Sequence, residues 1–113
     1  MNRMLIIAAS SDLSISYLES IKNDNLDIDV IVRDSSRIPE NIFSIIDEIH
    51  EFDLNDLESL NRFISTSKYS QIIFFQGIDI IKPFQLYNIN DISQTFNVNV
   101  LSIILLINIL ISK

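Results

Sequence analysis

The nine residues Ile6-Ile7-Ala8-Ala9-Ser10-Ser11-Asp12-Leu13-Ser14 set an apolar run directly before two hydroxyls and a carboxylate. An apolar strand turning tightly into a helix is a place where backbone N–H groups and the helix's partial positive charge can hold a phosphate. Glycine normally lines such a turn so that the backbone can approach the anion closely, and this turn has none. Asp12 brings a full negative charge instead. At about 5 Å and an effective dielectric near 20, two unit charges repel by roughly 3 kcal/mol, on the order of a hundredfold in affinity. A helix terminus offers only about 0.3–1 kcal/mol in return. Asp12, or Ser11 beside it, is therefore expected to cap its own helix and take the N–H groups that a phosphate would engage.

A second group of reactive side chains surrounds the only histidine: His50 lies among Glu48, Glu51 and Asp53. His50 and Glu51 would point to opposite faces of a strand, so no metal site is expected. The chain has no cysteine, which excludes disulfides, thiolate metal sites and cysteine nucleophiles and leaves the redox compartment open. Its net charge of -7 comes with eight scattered basic residues, and its pI is near 4.4. That balance argues against a nucleic-acid partner, since such proteins draw affinity from clustered Lys and Arg.

The elements that must position these residues follow from period and punctuation. Met4 to Ala9 reads as a strand buried on both faces, and Leu13 to Ile21 as a helix burying Leu13, Tyr17, Leu18 and Ile21. Leu26 to Asp34 is a second strand, and Pro39 opens a short helix through Asp47. Glu48 to Phe52 forms a third strand whose charges suit a sheet edge. Asp53 or Asn55 caps a helix from about Asp56 to Thr66, with Leu57, Leu60, Phe63 and Ile64 on its buried side. Gln71 to Phe75 is a fourth strand closed by Gly77. After a loop holding Pro83, Asp91 caps a long helix reaching almost to the carboxy terminus. This βαβαβαβα order predicts one α/β domain over residues 1–113, a parallel sheet with helices on both faces. A flavodoxin-like domain would share the pattern, but no phosphate loop for it is visible.

The 113 residues, 48% of them hydrophobic, suffice for one core. The amino terminus is too short and lacks the cleavage region of a secretory signal, so a cytoplasmic protein is expected. The segment FNVNVLSIILLINILISK approaches membrane-helix length, but its apolar span of about sixteen residues falls short of the roughly twenty a span needs. It also contains Asn97, Asn99, Ser102 and Asn108. No membrane span is expected.

Taken together, the motifs resemble the short-chain dehydrogenases and reductases. That family's turn T-G-A-S-S-G-I-G aligns with Ile7 to Ser14, matching at Ala9, Ser10 and Ser11 and replacing the three glycines by Ala8, Asp12 and Ser14. The family's adenine-facing aspartate matches Asp53, followed by Leu54. Its N-N-A-G segment matches Phe74-Phe75-Gln76-Gly77, with Ile78 following. Its f-x-V-N-V element matches Phe96 to Val100, making Asn99 the counterpart of a catalytic-tetrad asparagine. The resemblance covers essentially the whole chain but only the family's first half. It implies a Rossmann-like parallel sheet of four strands in order 3-2-1-4, here truncated.

It also implies an oxidoreductase lineage with NAD(P) as cofactor. Ala9, Ser10, Ser11, Asp12, Ser14, Arg33, Asp53, Leu54, Gln76 and Gly77 would be the cofactor residues. Arg33, ending the second strand, leans towards a 2'-phosphate and hence NADP; the bland alternative pairs it with Asp34 or a neighbouring acid. Asn99 is expected in a structural role, because the family's Tyr-x-x-x-Lys is missing: the residues four places after Tyr17, Tyr69 and Tyr87 are Ile21, Ile73 and Asp91. The chain is thus expected to be incomplete or inactive alone, with cofactor binding weakened by Asp12. Ending at Lys113 would leave the fourth strand as an open apolar edge and the last helix as an exposed apolar patch. A homodimer or a protein partner is expected there.

Overall fold

The computed structural model describes residues 3–63, 68–77 and 84–111. Ile64, Thr66, Ile78, Pro83 and Lys113, named above, lie outside the described residues. The chain falls into two compact units, one running to Phe52 and resuming up to Phe75, the other beginning at Asp53 and resuming at Gln76.

The first unit holds the whole sheet. Strands β1 (Arg3–Ile7), β2 (Asp27–Val32), β3 (Glu48–Glu51) and β4 (Gln71–Phe74) are all parallel and lie in the order β3-β2-β1-β4. This is a Rossmann-like α/β sheet with β1 at its centre. The alternation of side chains along the strands divides the core. Met4, Ile6, Ile28, Val30 and Val32 pack into one cluster with Leu18 of α1 (Asp12–Ile21) and Ile42 of α2 (Glu40–Phe43). Leu5, Ile7 and Ile31, which point to the other face, are also buried. The charged strand β3 does occupy an edge, with β4 at the opposite one.

Several boundaries differ from expectation for local reasons. β1 stops at Ile7 rather than Ala9 because Ala8 adopts a left-handed backbone, φ 65°. β2 stops at Val32 because Asp34 turns the chain, its carboxylate accepting the Ser36 N–H at 3.0 Å. The helix expected from Pro39 to Asp47 is only four residues long. Pro39 sits just before its first turn, and Asp47 is drawn back to the sheet, donating to Ile28 O at 2.7 Å and accepting the Ile28 N–H at 3.0 Å.

On the buried face of β2, Asp29 is fully enclosed. Its carboxylate accepts Arg3 Nη1 at 2.7 Å and the Tyr69 hydroxyl at 2.8 Å. A charge inside the sheet persists only with such partners. These two bonds tie the start of β1 and the approach to β4 onto the central strand pair.

In the second unit, α3 (Leu57–Leu60) is capped by Asp56 rather than Asp53 or Asn55, the Asp56 carboxylate accepting the Ser59 N–H at 3.1 Å. α4 (Ile89–Phe96) is likewise capped by Asn88, not Asp91; the two side chains bond each other's backbone N–H in a capping box. A π-helical turn (Asn97–Leu101) joins α4 to α5 (Ser102–Ile111). Val98, Ser102 and Leu106, spaced by four, form the buried side. The continuous helix Ile89–Ile111 spans 23 residues and is long and apolar enough, by length and composition, to cross a membrane.

Candidate functional site

The chain runs from β1 outward to β2 and β3 on one side, then returns to place β4 on the other. Such a reversal leaves a crevice beyond the carboxyl ends of the two strands that flank it, where open α/β sheets bind their ligands. Here those strands are β1 and β4, joined at that end by Phe75 N–H donating to Ile7 O at 3.1 Å. The turn Ala8 to Ser14 stands at that place.

Its backbone is largely consumed internally. Ala8 and Ala9 donate to Ile31 O at 2.8 and 3.4 Å, Ser11 donates to Ala8 O at 3.2 Å, and Ile15 donates to Ser11 O at 2.9 Å. Ser11 Oγ accepts the Ser14 N–H at 3.2 Å, so Ser11 is the cap and Asp12 the first helical residue. Ser10, Asp12 and Leu13 keep N–H groups with no acceptor among the described residues. Ala9 is buried, Ser10 and Ser11 are half-buried and Asp12 is exposed. Ser14, at the position of the family's last turn glycine, is fully buried, and its hydroxyl has no hydrogen-bond partner among the described residues. An anion here would meet free N–H groups and one solvent-screened carboxylate. Exposure of Asp12 lowers the repulsion to about 1 kcal/mol.

Arg33 follows β2 two residues after Ile31, the acceptor of the turn's N–H groups, so the fold brings it to the same end of the sheet. It is exposed and makes no ion pair among the described residues. The expected partner, Asp34, is engaged with Ser36 instead. Hydrogen bonds from the Ser36 hydroxyl and N–H hold the Asp34 carboxyl below its ordinary pKa, with smaller help from Arg37 and Arg33.

The remaining expected residues belong to the second unit. Asp53 is exposed and spends its carboxylate on the Asn55 N–H at 2.9 Å; Leu54 beside it is half-buried. Asn55 in turn accepts from Asn97 Nδ2 at 3.1 Å, tying this turn to the long helix. Gln76 Nε2 lies 3.5 Å from Ser102 Oγ, which donates to Val98 O at 2.7 Å. The Gln76 side-chain Oε1 is buried without a partner among the described residues. At Gly77 an added Cβ would meet nothing within 4 Å, and its φ is not left-handed. The chain's one glycine is therefore not demanded by its own packing. Asn99 is half-buried inside the π-helical turn; such turns are frequent at functional sites.

His50 Nε2 lies 3.4 Å from Glu48 Oε2, two residues away on the same strand face. Glu51 points elsewhere and accepts the Ser35 N–H at 2.9 Å. Among the described residues no cluster of three His, Asp or Glu side chains is placed to hold a metal.

Sequence reasoning missed Ala8, Ser102 and the Arg3–Asp29–Tyr69 group. Asp29 between Ile28 and Val30 was the available signal for the last, because a charge in an apolar strand needs partners. Ser102, set four residues from both Val98 and Leu106, was the signal for the small polar contact under the long helix.

No family model and no curated protein sequence matches the chain. Solved structures do. A short-chain dehydrogenase/reductase from Vibrio parahaemolyticus superposes with a TM-score of 0.80 at 16% identity, covering 97% of this chain and 52% of its own. A short chain dehydrogenase family protein from Francisella tularensis subsp. tularensis SCHU S4 gives 0.77 at 22% identity, covering 99% and 46%. A blue fluorescent protein from a metagenomic library, solved in complex with NADPH, gives 0.80 at 13% identity, covering 99% and 51%. The chain has the short-chain dehydrogenase/reductase fold over about half the length of these structures.

Proposed function

We propose that this chain is a dinucleotide-site scaffold of the short-chain dehydrogenase/reductase lineage, taking a nicotinamide dinucleotide weakly and NADP(H) ahead of NAD(H). The observation that carries this reading is the turn after β1. Ala8 holds there the left-handed backbone that glycine ordinarily supplies, at the reversal point of a sheet whose fold is shared with an NADPH-bound protein. The turn keeps its shape although its glycines are gone.

The N–H groups of Ser10, Asp12 and Leu13, without an acceptor among the described residues, would face the pyrophosphate, and the exposed Arg33 would meet a 2'-phosphate. Asp12 opposes the pyrophosphate, and Ser11 has already taken the Ser14 N–H. A bound nicotinamide would supply hydride chemistry, but proton transfer needs an acid–base group that Asn99 alone does not provide. No tyrosine in these residues carries a lysine four places on. The 113 residues are accordingly inactive as an oxidoreductase by themselves.

Calorimetric titration with NADPH and NADH tests this. Expected are an NADPH affinity between micromolar and millimolar, weaker NADH, tightening of about five- to tenfold in Asp12→Asn, and loss of the NADPH preference in Arg33→Ala. No heat from either dinucleotide at millimolar concentration, in both the parent protein and Asp12→Asn, overturns the reading.

A further inference from the structure

The sheet ends in two unlike edges. β3 begins with Glu48 and ends with Glu51, with Asp47 just before it. On the opposite side, Gln71 to Phe75 holds no charged residue and no proline. Among the described residues β4 pairs with β1 alone. Burial agrees: β1 is buried from Met4 to Ile7, but Gln71 is exposed and Ile72, Ile73 and Phe74 are only half-buried.

The ladder fixes which backbone groups this edge presents. Ile7 pairs with Phe74, and Phe75 N–H donates to Ile7 O at 3.1 Å. Backbone groups alternate in direction along a strand, so Ile73 and Phe75 face β1, while the N–H and C=O of Ile72 and Phe74 face outward. Ser70 N–H also reaches Arg3 O, at 2.8 Å, through one extra residue ahead of the strand, which leaves this phase unchanged.

We infer that the outer edge of β4 joins the same edge of a second copy, antiparallel, about a two-fold axis beside Ile73. The pairing is self-complementary. Ile72 comes opposite Phe74 of the second copy and the two exchange both N–H···O bonds, and the axis repeats the pair with the roles reversed. A β-branched side chain set across from an aromatic one is a favourable cross-strand pair.

Charge and closure select this occupant. β3 paired antiparallel with its own copy would set Glu48 against Glu51, and like charges directly opposite destabilise a ladder. β4 on β4 sets no charge against another. Pairing β4 with β3 of a second copy would leave a free edge at each end and grow a fibre, whereas β4 on β4 closes as a dimer.

The edge is short, which places the contact among weak, concentration-dependent interfaces. It uses none of the residues proposed to hold a dinucleotide, and its test is separate. Sedimentation equilibrium from low micromolar to submillimolar protein should show a mass rising towards twice 13.0 kDa. Over the same range, amide exchange at Ile72 and Phe74 should slow with concentration, while Ile73, already bonded to β1, should not change. Ile72→Pro deletes an outward donor that the β1 ladder does not use, and Ile72→Lys sets there the charge that natural edges carry. Each should keep the circular dichroism of the parent and weaken association by about tenfold or more. With no native cysteine, a mixture of Ile72→Cys and Phe74→Cys should oxidise to a covalent pair, their Cα atoms lying about 5.5 Å apart. A monomer throughout the range, unchanged exchange at Ile72 and Phe74 in an associating protein, association untouched by Ile72→Lys, or no link in the mixed cysteine variants would each overturn the inference.

Discussion

Ser11 Oγ accepts the Ser14 backbone N–H at 3.2 Å, closing the first turn of α1 at the carboxyl end of the central strand. The cap satisfies one of the donors that a helix start leaves open. Ser11→Ala should therefore lower stability by about 1 kcal/mol, while Ser11→Gly should cost only a few tenths. Urea denaturation of the two variants reads this directly; equal losses would mean that the hydroxyl is not the cap.

Ser14 itself carries the opposite expectation. Its hydroxyl is fully buried without a partner among the described residues, and such a group bears a desolvation cost of about 1–3 kcal/mol. Ser14→Ala removes that cost at nearly constant volume and also favours the helix. A stability gain of about 1 kcal/mol is expected from the urea midpoint. A loss would reveal a bond to the hydroxyl that the fold does not account for.

Ala8 is strained for a different reason. Its φ of 65° costs a residue with a Cβ about 1–2 kcal/mol. Glycine would relieve this but enlarge the unfolded ensemble by about 0.4–1 kcal/mol. Ala8→Gly should gain about 0.5–1 kcal/mol net, and Ala8→Val should lose more than that. Paired thermal melts of the two variants decide it, since a strain-free Ala8 predicts a loss for Gly.

These local features show where the sequence was readable. Apolar runs such as Met4 to Ile7 and Val30 to Val32 announced buried strands, and the charges of Glu48 to Glu51 announced an edge, because burial acts on side chains one at a time. Caps were harder. Several Asn and Asp residues compete near each helix start, and Asn88 prevails over Asp91 only because each can bond the other's backbone. The length of α2 was hidden because Asp47 bonds to Ile28, nineteen residues earlier. The left-handed Ala8 gave no signal, alanine being an unusual occupant of that conformation. At the site, Ser11 and Asp12 stood as rival caps, and only the hydrogen bond to Ser14 separated them.

The turn after β2 should respond to acid. Ser36, through its hydroxyl and then its N–H, holds the Asp34 carboxyl below its ordinary 3.8. A carboxylate whose folded pKa is depressed stabilises the fold fully above the unfolded value, and that stabilisation fades as pH falls through the folded value. Carbon-detected NMR titration should place Asp34 below a free aspartate. Ser36→Ala should move it upward and flatten the acid side of the stability profile; an unmoved midpoint would remove Ser36 as the cause.

Inside the sheet, the Asp29 carboxylate receives both Arg3 and the Tyr69 hydroxyl. Burial alone would lower the Arg3 pKa, but Asp29, by its charge and its hydrogen bond, leaves it raised. The two partners are separable by mutation. Tyr69→Phe removes one neutral donor and leaves the ion pair, so a loss of about 1–2 kcal/mol is expected for a bond to a charged group. Asp29→Ala removes both bonds and leaves Arg3 without its counter-charge, so it should cost more, about 2–3 kcal/mol once partial solvation of Arg3 is allowed for. Asp29→Asn should fall between them, since the amide can still accept from Tyr69. If Asp29→Ala proves no worse than Tyr69→Phe, the charge contributes nothing beyond the tyrosine bond, and β1 and β2 are held by their parallel backbone ladder and apolar side chains without help from the ion pair.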